Sequence, residues 1–141
     1  MNKIKKESIK PNKPCTHLAG EFFVSAELSR MGYNVALTMG NAKKVDLVVE
    51  LDSVTVPIQV KALAKKQNVG WPVNQHHNYD KKLIFVLVVL GEVGSIPTYY
   101  IVSGDIVQNK MKKYKTRAIL NISDVKAFKD NWNLITQRKK R

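Results

Sequence analysis

The sequence has a single cysteine and no long apolar run, and each shortage excludes a class of protein. Cys15 alone cannot form an internal disulfide, which fits a reducing compartment such as the cytoplasm. The longest uninterrupted apolar run covers residues 83–90 and is too short to span a bilayer. Because no apolar segment follows the lysine-rich start, we also expect no signal peptide and no membrane partner.

Basic residues are the most prominent feature that is present, with 24 Lys and Arg against 11 Asp and Glu. Residues 1–14 contribute a net +4 and residues 138–141 another +4, which leaves +5 of the total +13 for the body. This distribution favours a nucleic-acid partner, because lysine and arginine contacts to phosphates release counterions. The alternatives are an anionic membrane or ribosomal surface, or solvated ends that only aid solubility.

Hydrophobic periodicity and turn residues divide the 141-residue chain into an arm, one domain and a tail. Residues 1–15 predict a flexible basic arm, 16–136 a single domain and 137–141 a basic tail. Thr16 is the predicted N-cap of a helix that ends near Met31, before Gly32. Strands are predicted at residues 33–38, 45–50, 54–61, 83–90, 98–102 and 118–122, helices at 104–114 and 124–134 with Ser123 as the last N-cap, and irregular structure at 62–80.

The first helix carries an acidic residue on a face that is expected to be buried. At 100° per residue the apolar side chains cover most of the circle, and only Gly20, Glu27 and Arg30 share a face left for solvent. Glu21 falls inside the core-facing arc. A buried carboxylate is costly unless a partner compensates it, either a nearby lysine or a functional ligand.

The second and third strands are predicted to form a hairpin around Asp52-Ser53, in which paired residue numbers sum to 105. This register places Asp46 opposite Gln59, with Lys61 on the same face and an apolar face behind them. An ordinary solvated strand face is the simplest interpretation of each residue alone. Together with Glu21 they instead predict a site for Mg²⁺, which binds carboxylate and amide oxygens and keeps several waters.

Such a site suits phosphodiester cleavage. A hard cation neutralises phosphate charge and produces hydroxide near neutral pH, and the Lys61 ammonium would orient water and stabilise the pentavalent phosphorus.

The order Gly20-Glu21, Gly32-Tyr33, Val45-Asp46-Leu47 and Gln59-Val60-Lys61 resembles the PD-(D/E)XK superfamily of restriction-endonuclease-like nucleases, nearest to Mrr-type and Holliday-junction-resolvase-type members. The resemblance covers about residues 17–63, and the run at 83–90 fits a further core strand. It implies an α/β fold with a mixed sheet, an αβββαβ core and flanking helices. It also implies Asp46 as principal metal ligand, Glu21 as helix carboxylate, Lys61 as catalytic lysine, and a homodimer.

Two positions depart from the pattern of that superfamily. Val45 stands where the name-giving proline would be, and Gln59 replaces the second acid, as Mrr-like members also permit. The second change lowers the negative charge of the site by one and is expected to weaken metal binding.

Several other residues have both a functional and a structural interpretation. Lys43, Lys44, Lys65 and Lys66 are expected to contact phosphates from the loops beside the site. His76 and His77 have too few partners for a zinc site and fit a surface loop or a substrate contact. Trp71 is expected to be a packing anchor, with stacking on a base as the alternative.

The sequence therefore predicts an endonuclease that acts on DNA, on branched or distorted duplexes in particular, and uses Mg²⁺ or Mn²⁺ as a substitute. One alternative is a catalytically inactive DNA-binding module that keeps the nuclease fold. The other is a basic RNA-binding or ribosome-associated protein, against which the inward acids argue because phosphate binding needs none.

We expect deletion of residues 1–14 and 138–141 to flatten the salt dependence of DNA affinity and to leave the fold intact. The slope of log affinity against log salt falls by roughly one for each lost phosphate contact. Fluorescence titrations at several salt concentrations measure it, and an unchanged slope would show that these ends do not touch DNA.

Overall fold

A mixed β-sheet forms the centre of the computed structural model, which describes residues 12–38, 44–65 and 70–140. Helix α1 (Lys13–Arg30) precedes the strands β1 (Asn34–Leu37), β2 (Leu47–Leu51) and β3 (Val54–Leu63). The later elements are β4 (Trp71–Val73), β5 (Ile84–Val89), β6 (Thr98–Ser103), α2 (Gly104–Lys110), β7 (Lys112–Lys113), β8 (Ala118–Leu120), α3 (Ile122–Val125) and α4 (Asn133–Thr136), with 3-10 turns at Lys126–Phe128 and Gln137–Lys140.

Five strands form the main sheet in the order β1-β2-β3-β5-β6, and β4, β8 and β7 form a smaller antiparallel sheet. All neighbours in the main sheet are antiparallel except β3 and β5, which run parallel. Every residue of β5 is buried, because the strand has neighbours on both edges and packed layers on both faces. This double burial explains the unbroken apolar run in the sequence.

Two apolar cores lie on opposite faces of the main sheet. Alternate residues of β5 divide between them: Ile84, Val86 and Val88 join the core under helices α1 and α4, with Val24 and Leu28 of α1. Phe85 and Leu87 join the core under the smaller sheet and helix α2. The sheet is therefore the middle layer of three, as strand alternation requires.

Helix α1 begins at Lys13, so the prediction of Thr16 as its N-cap is wrong. Asn12 takes that position, and its side-chain oxygen accepts a hydrogen bond from the Cys15 amide at 2.9 Å. A deletion that leaves this cap in place therefore ends at residue 11. The predicted end is confirmed, with Met31 as C-cap and Gly32 at φ 91°.

The hairpin register predicted from the sequence is confirmed between Leu47 and Leu51, and the ladder does not include the predicted pair of Asp46 and Gln59. Leu47 pairs with Ile58 and Leu51 with Val54, so paired numbers sum to 105 along the ladder. Asp52 lies in the turn at φ 55°, a left-handed conformation that aspartate tolerates better than most residues.

Three predictions for the second half of the chain are wrong in detail. The segment 62–80, predicted as irregular, contains strand β4. Pro72 is compatible with a strand here because β4 lies at the edge of its sheet, where the missing N–H costs no ladder bond. Helix α2 stops at Lys110, since Met111 is extended and Lys112 and Lys113 pair with β8. The last predicted helix is broken, because the chain at Lys129 and Asp130 pairs with β6 and Ser123 lies inside α3.

The connection between the parallel strands β3 and β5 also differs from the αβββαβ order. Its described parts, residues 64–65 and 70–83, hold strand β4 and turns and no helix. The smaller sheet covers this face of β5 instead, through the buried side chain of Trp71.

None of the helices in the described ranges is both long and apolar enough to cross a membrane.

Helix α1 packs tightly against strand β3 at Gly20, which corrects the prediction that Gly20 faces solvent. A Cβ atom at this residue would lie 2.7 Å from the Cβ of Ala62 and 3.4 Å from a methyl group of Val60. The buried stripe is Gly20, Val24 and Leu28, at intervals of four residues. The apolar side chains on the other face are therefore exposed, among them Leu18, Phe22, Phe23 and Met31.

We expect Gly20→Ala to lower the free energy of unfolding by roughly 1–3 kcal/mol, the usual cost of overpacking. The same change at an open helix position stabilises by up to about 1 kcal/mol, so the sign itself is informative. Urea denaturation measures the effect, with the exposed Ser29→Ala as the matched control. Adding Ala62→Gly should recover part of the loss, and a Gly20→Ala variant more stable than the parent would contradict the close approach.

Candidate active site

Asp46 lies where the ladder between β2 and β3 opens. The described pairing begins at Leu47 and Ile58, and the Asp46 amide donates to the Ile58 carbonyl at 2.9 Å. Two residues further along β3, the Val60 amide donates at 2.8 Å to Oδ2 of the Asp46 side chain. The Asp46 carboxylate thus takes the place of a strand carbonyl, and this hydrogen bond fixes the position of the carboxylate. Only 2% of Asp46 is exposed.

Helix α1 brings a second carboxylate and an imidazole to the same place. Glu21 is 3% exposed, in agreement with its predicted inward orientation. The Nε2 atom of His17, one turn earlier, lies 3.1 Å from Oε1 of Glu21 and 3.6 Å from Oδ1 of Asp46. One ligand atom from each of the three residues lies within 4.8 Å of the others.

Gln59 and Lys61 flank the Val60 amide that holds Asp46. Val60 and Ala62 contact helix α1, so by strand alternation Gln59 and Lys61 leave β3 on the other face. Gln59 is 7% exposed, and its Oε1 accepts no hydrogen bond within the described ranges. An amide oxygen buried without a donor is costly, which is one sign of a site that receives a ligand.

Lys61 is partly buried, and this burial dominates its electrostatics. Desolvation lowers the pKa of its ammonium below the ordinary value, while the nearby Asp46 carboxylate acts in the opposite direction. Because desolvation is the larger effect, the fold disfavours the charged form that a phosphate would attract.

The arrangement combines hard oxygen donors, one nitrogen donor and one cation at a break in the sheet. Two carboxylates and the Gln59 amide oxygen match the donors that Mg²⁺ and Mn²⁺ accept in proteins. Lys61 offers N–H donors and positive charge for an anionic group placed beside the cation.

The other residues singled out in the sequence lie elsewhere or have structural partners. Lys44 is exposed, and the Lys65 ammonium lies 3.7 Å from Oε1 of Glu92, while Lys43 and Lys66 fall outside the described residues. His76 is exposed, and the His77 ring packs edge-on against Tyr79.

Trp71 is a packing anchor, as predicted. It is fully buried, donates its Nε1–H to the Val88 carbonyl at 3.0 Å and meets the Tyr100 ring edge-on.

His17 is the member of the cluster that sequence reasoning missed. Its spacing of four residues from Glu21 places both side chains on one face of a helix, and this was the available signal. The contact with Asp46 joins residues 29 positions apart in the chain and follows only from the packing of α1 on the sheet.

Comparison of the chain with known proteins gives structural matches alone. No protein-family model matches the sequence, and no curated protein matches it. A bacterial homing endonuclease, I-Ssp6803I, has a similar structure, with a TM-score of 0.65 and 17% identity over 93% of this chain and 96% of that one. Hjc, a Holliday junction resolvase from Archaeoglobus fulgidus, matches with a TM-score of 0.48 and 10% identity over 78% of this chain and 92% of that one.

The mixed five-stranded sheet, its flanking helices and the match over nearly the full length of both chains agree with the fold that the sequence motifs imply. The chain has a restriction-endonuclease-like nuclease fold.

Proposed function

We propose that this protein is a metal-dependent endonuclease that hydrolyses phosphodiester bonds of DNA, with Mg²⁺ as the cofactor and Mn²⁺ as a substitute. The observation that carries the proposal is the convergence of Glu21 and Asp46, both almost fully buried, next to the desolvated Lys61. Two carboxylates held together in a protein interior are unfavourable as a structural device alone, and a divalent cation would balance their charge.

The residues present fit such a cation. Asp46 and Glu21 supply anionic oxygens, and the buried Oε1 of Gln59 supplies a neutral one that has no hydrogen-bond donor in the described ranges. When bound, the cation supplies positive charge against the developing charge on the phosphate and allows water to ionise near neutral pH.

The protein side chains have separate tasks in this proposal. The Val60 amide fixes one oxygen of Asp46, so that the other is directed toward the helix. Lys61 donates to a non-bridging phosphate oxygen and to the attacking water, and its interaction strengthens as negative charge accumulates. Its burial keeps water from competing for that charge.

DNA is the substrate that the charge distribution favours, with the basic ends and exposed lysines such as Lys44 as phosphate contacts. Lys65, together with Lys43 and Lys66 outside the described residues, is part of the same proposal. Cleavage of both strands of a duplex needs two sites, so we propose a homodimer as the form that cuts duplex or branched DNA.

Incubation with linear, supercoiled and four-way-junction DNA, with and without Mg²⁺ or Mn²⁺, tests the proposal directly. We expect cleavage that needs the metal and stops with a chelator. Tight DNA binding with no cleavage of any form would instead support the inactive DNA-binding module.

We expect Lys61→Ala to lower the cleavage rate by about 10²-fold or more with little loss of DNA affinity, because Lys61 acts on charge that develops in the transition state. In the metal-free protein, Lys61→Met should raise the melting temperature by about a few degrees, since it removes a desolvated ammonium. Single-turnover kinetics and thermal scans measure the two effects. The exposed Lys126→Met is the matched control and should change neither by a comparable amount.

Asp46→Asn should abolish metal-dependent cleavage while it preserves or improves DNA binding, because it removes a negative charge that faces phosphate.

Gln59→Glu adds an anionic oxygen at position 59 and should tighten Mg²⁺ binding, measured by calorimetry, with cleavage preserved or raised. If the parent, Gln59→Glu and Lys61→Ala are equally inert on every DNA form with both metals, the enzyme proposal fails.

A further inference from the structure

His17 has a place in the cluster that the assignment of Glu21, Asp46 and Gln59 as metal ligands leaves unexplained. Its Nε2 lies 3.1 Å from Glu21 and 3.6 Å from Asp46, at the point where both carboxylates meet. The His17 side chain is 43% exposed, whereas those of Glu21 and Asp46 are 5% and 3% exposed. The imidazole therefore lies at the mouth of the cluster, between the buried acids and solvent.

The chemistry of this donor set differs from that of an all-oxygen site. Replacing an oxygen donor by an imidazole nitrogen favours transition metals over Mg²⁺, which prefers oxygen ligands and gives up its waters reluctantly, and Mn²⁺ is the transition metal that also accepts carboxylate and amide oxygens. Gln59 at the second acid position also leaves only two carboxylates in the set, Glu21 and Asp46. A nitrogen ligand would restore affinity for a transition metal without adding charge, and Mn²⁺ keeps the six-coordinate oxygen chemistry that phosphodiester hydrolysis uses.

We propose that His17 is a direct metal ligand of this site and that it makes the site select Mn²⁺ over Mg²⁺. The inference rests on the proposed metal site, but it concerns which ion the protein binds and does not depend on cleavage. The sharpest competing explanation is that the imidazole only orients the Glu21 carboxylate through their contact.

Two substitutions separate a ligand from an orienting group. His17→Ala removes both roles. His17→Gln keeps an N–H donor that can reach the Glu21 carboxylate, and offers a hard oxygen in place of the nitrogen. Because His17 lies on the partly exposed end of a helix, neither change removes core packing, and circular dichroism verifies the fold.

Isothermal titration of the full chain with MnCl₂ and with MgCl₂ at one fixed pH gives the first measurement. We expect the parent to bind Mn²⁺ more tightly than Mg²⁺. Both variants should lose about 10–100-fold in Mn²⁺ affinity, while His17→Gln changes Mg²⁺ affinity by less than about threefold. His76→Ala, an exposed histidine outside the cluster, is the matched control and should change neither.

Electron spin-echo spectroscopy of bound Mn²⁺ gives a second measurement that reports ligation itself. The parent should show a ¹⁴N coupling typical of a directly bound imidazole, which becomes a ¹⁵N coupling after histidine labelling and disappears in His17→Gln. A parent without this coupling, or a His17→Gln variant with undiminished Mn²⁺ affinity, would overturn the inference. A parent that shows the coupling and yet cuts no DNA would support the inference and refute the proposed activity, so the two failures are distinguishable.

Discussion

The packing of helix α1 on strand β3 at Gly20 is the contact on which the candidate site depends. With no side chain at Gly20, the helix approaches until an added Cβ would lie 2.7 Å from Ala62. This approach brings His17 and Glu21, which lie one helical turn apart, to Asp46 on the sheet. A helix displaced by one methyl group would move two of the three cluster members together, because they share one rigid element.

The second requirement is a sheet that opens beside β3. Where a regular ladder would continue past Leu47 and Ile58, the Asp46 side chain accepts a hydrogen bond from the Val60 amide. This hydrogen bond satisfies the backbone donor and at the same time fixes a carboxylate at the edge of the strand. Side chains from the helix layer and from the opposite strand face can meet only at such a break, since an unbroken sheet would separate them.

The two layers that cover the sheet have different consequences for function. The helix layer contributes the acid and imidazole, while the opposite layer is a small sheet anchored by the buried Trp71 and its bond to Val88. This layer occupies the position at which the αβββαβ order would have a helix, yet it buries the same face of β5. Burial of that face is what the fold requires, and the type of element that provides it can vary.

The sequence by itself determined the hairpin register, the inward orientation of Glu21 and the association of Asp46, Gln59 and Lys61 with one hairpin. Each depends on local periodicity, and strands of period two leave little freedom once an apolar face is assigned. Tertiary structure decided which of the apolar residues of α1 are buried and that Gly20 lies among the buried residues, because apolar side chains surround most of the helix and packing selects those that meet the sheet. It also decided the contact of His17 with Asp46, because residues on different elements have no shared period from which their distance could be deduced.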